Sequence, residues 1–361
     1  MEPILTLGPL SVTPYSLMML CGAAAGILIA ARNRRIRPAL PGMVICALVF
    51  AHLFWALFNM EETETPLMQF VQFWRGGYTL YGAVFGALLA AWAAAGRLKV
   101  RLAEITDAAA PGAAAAILLG RLGEYFSGAG YGSIVEEGSP CFFPLAYITY
   151  QEEEYIEWSY AVWAWEAAAA LVMLCLLLHV GRRARQGEAT AVFLTLLGTT
   201  QILLEQFRQD DYVVTFNSFV RFSQVAAVVT LVILLLLLIR RHHPGALRAG
   251  LSALTFVLAA LTVVFAEFAF DKPAFDLWMR LGIGLSAVSA AAMLRAFRGR
   301  EGILPGGVLL LLAAILLLLH CLGKWESEVL LLYMIIASSV SVMGMTLYMN
   351  MGCEHPEEAC L

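Results

Sequence analysis

Apolar windows, each about 20 residues long and separated by short charged segments, dominate this sequence. A window of that length crosses the hydrocarbon core of a bilayer as one α-helix. With 61% hydrophobic and only 14% charged residues, the composition excludes an ordinary soluble domain. We predict an all-α polytopic membrane protein with about eleven transmembrane helices. The windows are 14–31, 41–59, 78–96, 106–126, 159–180, 188–207, 219–239, 249–268, 277–297, 303–322 and 329–350.

The loops between these windows alternate in charge. Sixteen of the 23 lysines and arginines lie in the five loops that follow windows one, three, five, seven and nine. The acidic residues of the opposite loops lie at 61–64, 136–157, 210–211 and 271. Because basic loops stay in the cytoplasm, we predict a multi-pass protein with its N-terminus outside and its C-terminus in the cytoplasm.

The longest loop, 127–158, falls on the outer side and is rich in Gly, Pro, Tyr and Glu. We predict that it forms a small head region between helices four and five. Beyond the basic segment 240–248, four more windows carry few polar residues. The predicted domains are therefore a membrane core, 1–243, and a four-helix membrane extension with a short cytoplasmic tail, 244–361. No basic region precedes the first window, so no cleavable signal peptide is expected.

The seven cysteines show no metal-binding or disulfide pattern. Most lie inside apolar windows, and none forms a Cys-x-x-Cys pair, which gives no support for a zinc site or a disulfide framework. The sequence also has no nucleotide-binding motif. We therefore expect neither a metal nor a cofactor, and no nucleic-acid partner.

Arg121 is a charge inside an apolar window. The preceding stretch, 108–119, has no charged residue, and a charge in hydrocarbon is costly unless a partner compensates it. We expect the glycines of the stretch 120–132 to break the fourth helix, to bring backbone close to a ligand and to offer amide donors to an anion. A cation beside free amides near the bilayer surface predicts a binding site for a phospholipid phosphate.

Other polar side chains fall at the same depth as Arg121. Glu124 follows it at i+3, while Gln201, Glu205 and Arg208 have the spacing of a single helix face. Four more polar residues lie in other windows: His52, Tyr78, Tyr81 and Glu166. Because these groups come from several helices and share one side of the membrane, they favour an outer cavity.

Structural roles are the alternatives for the same residues. Arg208 can extend to the lipid headgroups or form an ion pair with Glu205 between helices. His52 alone fits hydrogen-bonded helix packing, and Glu166 beside two tryptophans fits the membrane interface. The two tyrosines at the start of the third window fit an aromatic belt as well as an active site.

Five segments resemble, in the same order, the prolipoprotein diacylglyceryl transferase family of integral membrane enzymes. The most specific is Gly120-Arg121-Leu122-Gly123-Glu124-Tyr125-Phe126-Ser127-Gly128, which is similar to the family's GRLGNFING. The others are 7–18 (IGP…WYGLMY), 74–86 (GGMSFHGGLIG), 205–211 (EFFRQPD) and 222–224 (MGQ). The resemblance covers about 1–243, and the family offers no counterpart for the residues beyond it.

The resemblance implies an activity, a location and partners. The family transfers a diacylglyceryl group from phosphatidylglycerol to the lipobox cysteine thiol of a prolipoprotein signal peptide. It does so at the outer face of the bacterial cytoplasmic membrane. By this resemblance Arg121 and Arg208 bind the lipid phosphate. The other residues matched to substrate-binding positions are Tyr15, Glu124, Glu166 and Gln201.

The chain departs from the family pattern at four positions. Tyr81 replaces the histidine proposed as the family's base, and Gln201 replaces an arginine. His52 stands where the second window usually has an arginine, and Glu124 replaces an asparagine. A tyrosine, with a pKa of about 10, is a poor base at neutral pH. The predicted catalytic set is therefore Tyr81 or His52 as the base, together with Glu205.

Three functions follow from these observations. The first is transfer of a diacylglyceryl group from phosphatidylglycerol to a lipobox cysteine. The second is a catalytically altered or inactive paralogue that binds phospholipid or modifies another acceptor. The third is a transporter, which is less favoured because the charged residues cluster at one face and do not line a path across the membrane.

Overall fold

The computed structural model describes residues 4–7, 10–59, 66–73, 77–135, 141–151, 156–180, 186–209 and 221–242, together with Gly250, Leu254 and Val257. Within these residues five helices are long and apolar enough to cross a membrane. Two shorter apolar helices, Pro14–Ala30 and Glu188–Leu204, accompany them. These helices overlap the first seven predicted windows, so the chain is a mostly helical, polytopic membrane protein. Apart from the three single residues, the last four predicted windows lie outside the described part.

The described elements follow one another as helices interrupted by two short hairpins. They are β1 Leu5–Leu7, β2 Leu10–Val12, α1 Pro14–Ala30, α2 Leu40–Phe58, α3 Pro66–Gln69, α4 Leu80–Leu98, α5 Leu102–Ser127, β3 Ala146–Gln151, β4 Ile156–Tyr160, α6 Val162–Val180, α7 Glu188–Leu204 and α8 Phe222–His242. Single 3-10 turns at Arg37–Ala39 and Glu205–Phe207 adjoin α2 and α7.

The two hairpins are an addition to the predicted all-α architecture. β1 and β2 pair antiparallel, with Leu5 opposite Val12. β3 and β4 also pair antiparallel, with an irregularity between Ile148 and Tyr150. Both hairpins precede a helix that carries a candidate site residue. The second one falls within the long loop for which the sequence predicted a head region.

The chain divides into two compact units, Met1–Val229 and Thr230–Leu361. The helices described below belong to the first unit. The predicted boundary at residue 243 stays a prediction.

Helix α1 begins with a satisfied cap. The Thr13 side chain accepts a hydrogen bond from the Ser16 backbone N–H at 3.2 Å, and the Thr13 N–H donates to the Ser16 hydroxyl at 2.8 Å. Pro14 occupies the first helical position, where its missing N–H has no cost. This reciprocal capping box holds the start of α1, and with it Tyr15.

Small residues let α1 and α5 approach each other closely. A methyl group on Gly22 would lie 3.0 Å from the Ala116 carbonyl oxygen, and one on Gly26 would lie 2.8 Å from the Gly112 carbonyl oxygen. In lipid, where neighbouring tails are as apolar as leucine, such contact between backbones is a main source of helix association. The pair therefore depends on residues that have almost no side chain.

Helix α5 runs without a break from Leu102 to Ser127. The expectation that its glycines break the helix is wrong, and Gly123, the first glycine after Arg121, lies inside the helix. A methyl group on Gly123 would lie 2.9 Å from the Cβ of Met18, so this glycine makes room for α1. The helix ends at Gly128, whose φ of +65° suits glycine. Arg121 thus lies about 9 Å before the helix end.

The helices have two ends of different character. We call the end that holds Tyr15, Arg121 and Glu205 the site end, and the end that holds Ala30 and Leu102 the opposite end. At the opposite end Ile36 and Ile105 are fully buried with neighbouring alanines. Because successive helices alternate in direction along the chain, the charged and hydroxyl side chains of the candidate site lie together at the site end.

Candidate functional site

Four charged residues meet at the site end, and we call them the charge cluster: Arg121, Glu124, Glu166 and Arg208. The last three are buried, and the Arg121 side chain is 12% exposed. The first two occupy the last turns of α5, at i and i+3. Glu166 lies in the second turn of α6. Arg208 directly follows the 3-10 turn at the end of α7. Three separate parts of the chain therefore supply the cluster.

The contacts in the charge cluster form a closed ring of alternating charge. Nη1 of Arg121 lies 2.6 Å from Oε1 of Glu124 and 3.2 Å from Oε2 of Glu166. Nη1 of Arg208 lies 3.2 Å from Oε2 of Glu124 and 2.8 Å from the same Glu166 oxygen. Each guanidinium therefore touches both carboxylates, and the ring is formally neutral.

Burial explains why the ring closes in this way. Glu124, Glu166 and Arg208 expose 8%, 4% and 6% of their surface. Removing an isolated charge from water to such a place is strongly unfavourable, and pairing with hydrogen bonds compensates for it. The four charges were predicted to lie at one depth, and the structure brings them into direct contact.

Gln201 and Glu205 flank the charge cluster from α7. The Gln201 side-chain amide donates to Oε1 of Glu166 at 3.4 Å, and both residues are buried. Glu205 is also buried, and it acts electrostatically on Arg121 and Glu166. Within the described part of the chain Glu205 makes no ion pair.

The prediction that Gln201, Glu205 and Arg208 share one helix face is wrong for the last of them. Helix α7 ends at Leu204, and Glu205–Phe207 tightens into a 3-10 turn. Arg208 then has an extended backbone, with φ −72° and ψ 136°. This change of direction turns its side chain toward α5 and α6 instead of along α7.

Arg221 is a third arginine beside the charge cluster, and sequence reasoning missed it. Its guanidinium donates to the carbonyl oxygen of Arg208 at 2.5 Å. The Gln209 N–H donates to the Tyr131 carbonyl at 2.9 Å, and this joins the same segment to the loop after α5. The available signal was an arginine near the start of the seventh apolar window, 219–239. These contacts hold the extended segment that carries Arg208.

Two tyrosines border the site end in different ways. Tyr15 packs beside Gly123 and acts electrostatically with Glu124 and both cluster arginines. Tyr81 is 6% exposed, and its hydroxyl has no hydrogen-bond partner among the described residues. Glu205 is the charged residue that acts on this hydroxyl. A buried hydroxyl without a partner costs free energy unless a ligand or water satisfies it.

His52 does not join the charge cluster. Its Nδ1 lies 3.1 Å from the Gly77 carbonyl oxygen and its Nε2 lies 2.8 Å from the Gln69 carbonyl oxygen. The ring is fully buried and packs 4.4 Å from the ring of Phe73 and 5.9 Å from that of Trp55, between centroids. These contacts match the alternative interpretation of His52, hydrogen-bonded helix packing, and give no support to a role as a base.

A small cavity adjoins the charge cluster on the side toward the middle of the helices. Arg121 and Glu166 form one wall of it. The rest of the lining is mostly apolar and includes Ile117, Met173, Leu197 and the half-buried Thr200. The cavity has room for about one water molecule, with polar groups at one end of a mostly apolar lining.

Comparison with known proteins places this architecture in a family. The model of the prolipoprotein diacylglyceryl transferase family matches residues 2–240. This chain belongs to that family. The match confirms the family predicted from the sequence motifs, and it covers nearly the same residues as those motifs, about 1–243.

Individual relatives share about a quarter to a third of the aligned residues. A phosphatidylglycerol–prolipoprotein diacylglyceryl transferase of Frankia alni is 29% identical over 223 residues, which are 57% of this chain and 58% of that protein. One of Gloeobacter violaceus is 31% identical over 152 residues, 40% of this chain and 56% of that protein. One of Streptococcus pneumoniae is 26% identical over 245 residues, 63% of this chain and 90% of that protein. The chain thus spans less than two thirds of the Frankia and Gloeobacter proteins.

Proposed function

We propose that this chain transfers a diacylglyceryl group from phosphatidylglycerol to the thiol of a prolipoprotein lipobox cysteine. The observation that carries the proposal is the convergence of two guanidinium groups, Arg121 and Arg208, at one end of membrane helices. Arginine pairs with phosphate through two parallel hydrogen bonds, which makes it the preferred side chain for such a ligand. Family membership supplies the reaction class.

The reaction exchanges one bond for another. The cysteine sulfur attacks the carbon of the diacylglycerol backbone that is bonded to a phosphate oxygen of phosphatidylglycerol. The carbon–sulfur bond forms, the carbon–oxygen bond breaks, and glycerol phosphate leaves with the bonding electrons. Negative charge grows on the leaving phosphate, so Arg121 and Arg208 stabilise the transition state more than the bound lipid. No redox partner is needed.

The thiol proton needs an acceptor, because thiol is a much weaker nucleophile than thiolate. In our proposal the Tyr81 hydroxyl takes this proton as it passes its own, through one bridging water, to the Glu205 carboxylate. The partnerless hydroxyl and its electrostatic interaction with Glu205 support this assignment. Glu166 and Gln201 position the arginines. Tyr15 borders the same end of the helices and contributes to lipid binding.

The finer architecture remains part of the proposal. It comprises eleven transmembrane helices, the outer head region between helices four and five, and the division into 1–243 and 244–361. The basic loops support an orientation in the bacterial cytoplasmic membrane with the N-terminus outside and the C-terminus in the cytoplasm. In that orientation the charge cluster lies in the outer leaflet, where a prolipoprotein signal peptide presents its cysteine.

The test is a transfer assay with the purified full chain in phosphatidylglycerol vesicles. A synthetic lipobox peptide should gain the mass of one diacylglyceryl group, and the same peptide with serine in place of cysteine should not. An intact mass for the cysteine peptide, with folded protein and bound lipid both verified, would contradict the proposed transfer.

The second candidate is a paralogue that binds phospholipid without transferring it to this acceptor. The observation in its favour is that both arginines are already paired with carboxylates. It predicts lipid binding that depends on Arg121 and Arg208, with no mass gain on the peptide. The same preparation therefore decides between the two functions.

A further inference from the structure

Glu124 and Glu166 hold the two arginines in different ways. Glu124 uses both carboxylate oxygens: Oε1 contacts Arg121 at 2.6 Å and Arg208 at 3.5 Å, and Oε2 contacts Arg208 at 3.2 Å. Glu166 uses one oxygen, Oε2, for both guanidiniums, and its other oxygen takes the Gln201 amide. Of the two glutamates, only Glu124 bridges the guanidiniums with both oxygens of its carboxylate. The unesterified oxygens of a phosphodiester have the same arrangement.

Exposure separates the two carboxylates further. The Glu124 side chain is 11% exposed, whereas that of Glu166 is 3% exposed. Glu166 also lines the small cavity beside the charge cluster. Glu124 lies one turn nearer the end of α5 than Arg121 does. Of the two carboxylates, Glu124 is therefore the more accessible. Glu166, which has an additional amide donor, stays behind as the support of the arginines.

The position of Glu124 on its helix is electrostatically unfavourable without the arginines. It occupies the last turn of α5, where the helix dipole disfavours a negative charge. That turn has no basic residue of its own. Arg121, one turn earlier on the same helix, and Arg208, from another part of the chain, compensate the carboxylate. A ligand that takes over the arginines leaves Glu124 without compensation.

From this geometry we propose that Glu124 is a specificity-determining residue that selects lipid headgroups by charge. The proposal rests on the phosphate site described under the proposed function. The Glu124 carboxylate occupies the position that a lipid phosphate takes between Arg121 and Arg208. An anionic headgroup must displace it and then adds a second negative charge to a buried space. A zwitterionic headgroup brings its own ammonium, which pairs with the displaced carboxylate. Phosphatidylglycerol, the donor in the proposed function, therefore still binds the two arginines but more weakly than it would without the Glu124 charge.

The test compares two lipids that differ only in the headgroup. The full chain is purified in a neutral detergent and titrated with phosphatidylglycerol or phosphatidylethanolamine of identical acyl chains. Bound lipid is counted by native mass spectrometry. In Glu124→Gln, which keeps the shape and removes the charge, affinity for phosphatidylglycerol should rise about tenfold or more. Affinity for phosphatidylethanolamine should rise much less, so the ratio of the two dissociation constants shifts.

Two variants make the result specific to Glu124. Glu104→Gln makes the same substitution on the same helix at the opposite end, where Glu104 pairs with the exposed Arg35 at 3.7 Å, and it should leave the ratio unchanged. Glu124→Asp keeps the charge but draws it back by one methylene, so it should shift the ratio in the same direction by a smaller factor. If Glu124→Gln does not fold, this second variant carries the test.

The outcomes separate this inference from the function beneath it. An unchanged ratio in both Glu124 variants, with binding still lost in Arg208→Ala, would overturn the role of Glu124 and leave the phosphate site standing. Weaker phosphatidylglycerol binding in Glu124→Gln would also overturn it, because the carboxylate would then be a support for the arginines. Binding that is insensitive to Arg208→Ala would instead remove the phosphate site itself.

Discussion

The two ends of the helices each hold a carboxylate of α5, half-buried Asp107 at one end and buried Glu124 at the other, and they use it in different ways. At the opposite end Asp107 of α5 caps α7: Oδ1 accepts the Thr190 N–H at 2.8 Å and its hydroxyl at 2.6 Å, and Oδ2 accepts the Gly187 N–H. At the site end Glu124 meets two guanidiniums that also hold a second carboxylate. Neutral donors of one neighbouring helix satisfy Asp107 completely. Glu124 depends on the guanidiniums of Arg121 and Arg208, which an anionic ligand can bind in its place.

This difference teaches where stability and function reside in the molecule. The opposite end combines a satisfied helix cap with apolar side chains that are fully buried. The site end combines four charges with the partnerless hydroxyl of Tyr81, an arrangement that leaves free energy available for a ligand. Substitutions at the two ends should therefore change different measurements, and the predictions below test that separation.

The largest expected effect is the loss of transfer in Arg208→Ala. Removing one charged donor from a developing negative charge lowers turnover by about 10²–10³-fold. Arg208→Lys should restore little, because a single ammonium cannot offer a phosphate the two parallel hydrogen bonds of a planar guanidinium. Mass spectrometry of the lipobox peptide measures the rate. Arg35→Ala, whose side chain is 78% exposed, is the control and should keep the original rate.

The next effect is the loss of proton transfer in Tyr81→Phe. A positioned acid or base contributes at least about 10²-fold, so turnover should fall by that factor. The thermal stability should hold or rise, because the substitution removes a buried hydroxyl that lacks a partner. Transfer rate and thermal unfolding in detergent are measured on the same sample. An unchanged rate would exclude Tyr81 from the proton path.

His52→Asn is the counterpart of Tyr81→Phe. The ring of His52 lies between the carbonyls of Gly77 and Gln69, so its removal should lower the melting temperature more than the turnover of folded protein. A large loss of turnover at unchanged stability would return His52 to the catalytic set that the sequence predicted.

The sequence predicts the helices better than it predicts their contacts. The first seven windows coincide with helices because apolar length alone decides whether a segment crosses the bilayer. Arg121 stands out because a charge in such a segment needs a partner. The identity of that partner depends on tertiary packing, and spacing along α5 indicates only Glu124. Glu166 and Arg208 enter through other parts of the chain.

Two errors have specific physical causes. Arg208 was placed on the face of α7 because the helical period was extended past Leu204, where the backbone in fact tightens and then extends. Gly120 and Gly123 were interpreted as breaks because glycine disfavours helices in water. In lipid the same residues permit close helix packing, and Gly123 lies against Met18 and Tyr15.

The opposite end should respond in stability before it responds in activity. In Gly112→Val the new side chain meets the backbone of Gly26, so α1 and α5 must separate. Overpacking of this kind costs about 1–3 kcal/mol. Gly96→Val is the matched control, since a side chain at Gly96 meets open space. The free energy of unfolding of both variants is measured in mixed micelles. Equal stability of the two variants would show that the α1–α5 contact contributes little.

The smallest effect is expected for Asp107→Ala, which removes the cap of α7. The Gly187 and Thr190 N–H groups lose their acceptor, and loss of such a cap costs about 1 kcal/mol. Asp107→Asn keeps one acceptor oxygen and should lose less. Because α7 also carries Gln201 and leads to Arg208, the transfer rate of the folded fraction tests whether the two ends are independent. A rate equal to that of the original chain means that the charge cluster is held by its own contacts. A rate that falls with stability would mean that the cap at the opposite end helps to position Arg208, and the separation of the two ends would fail.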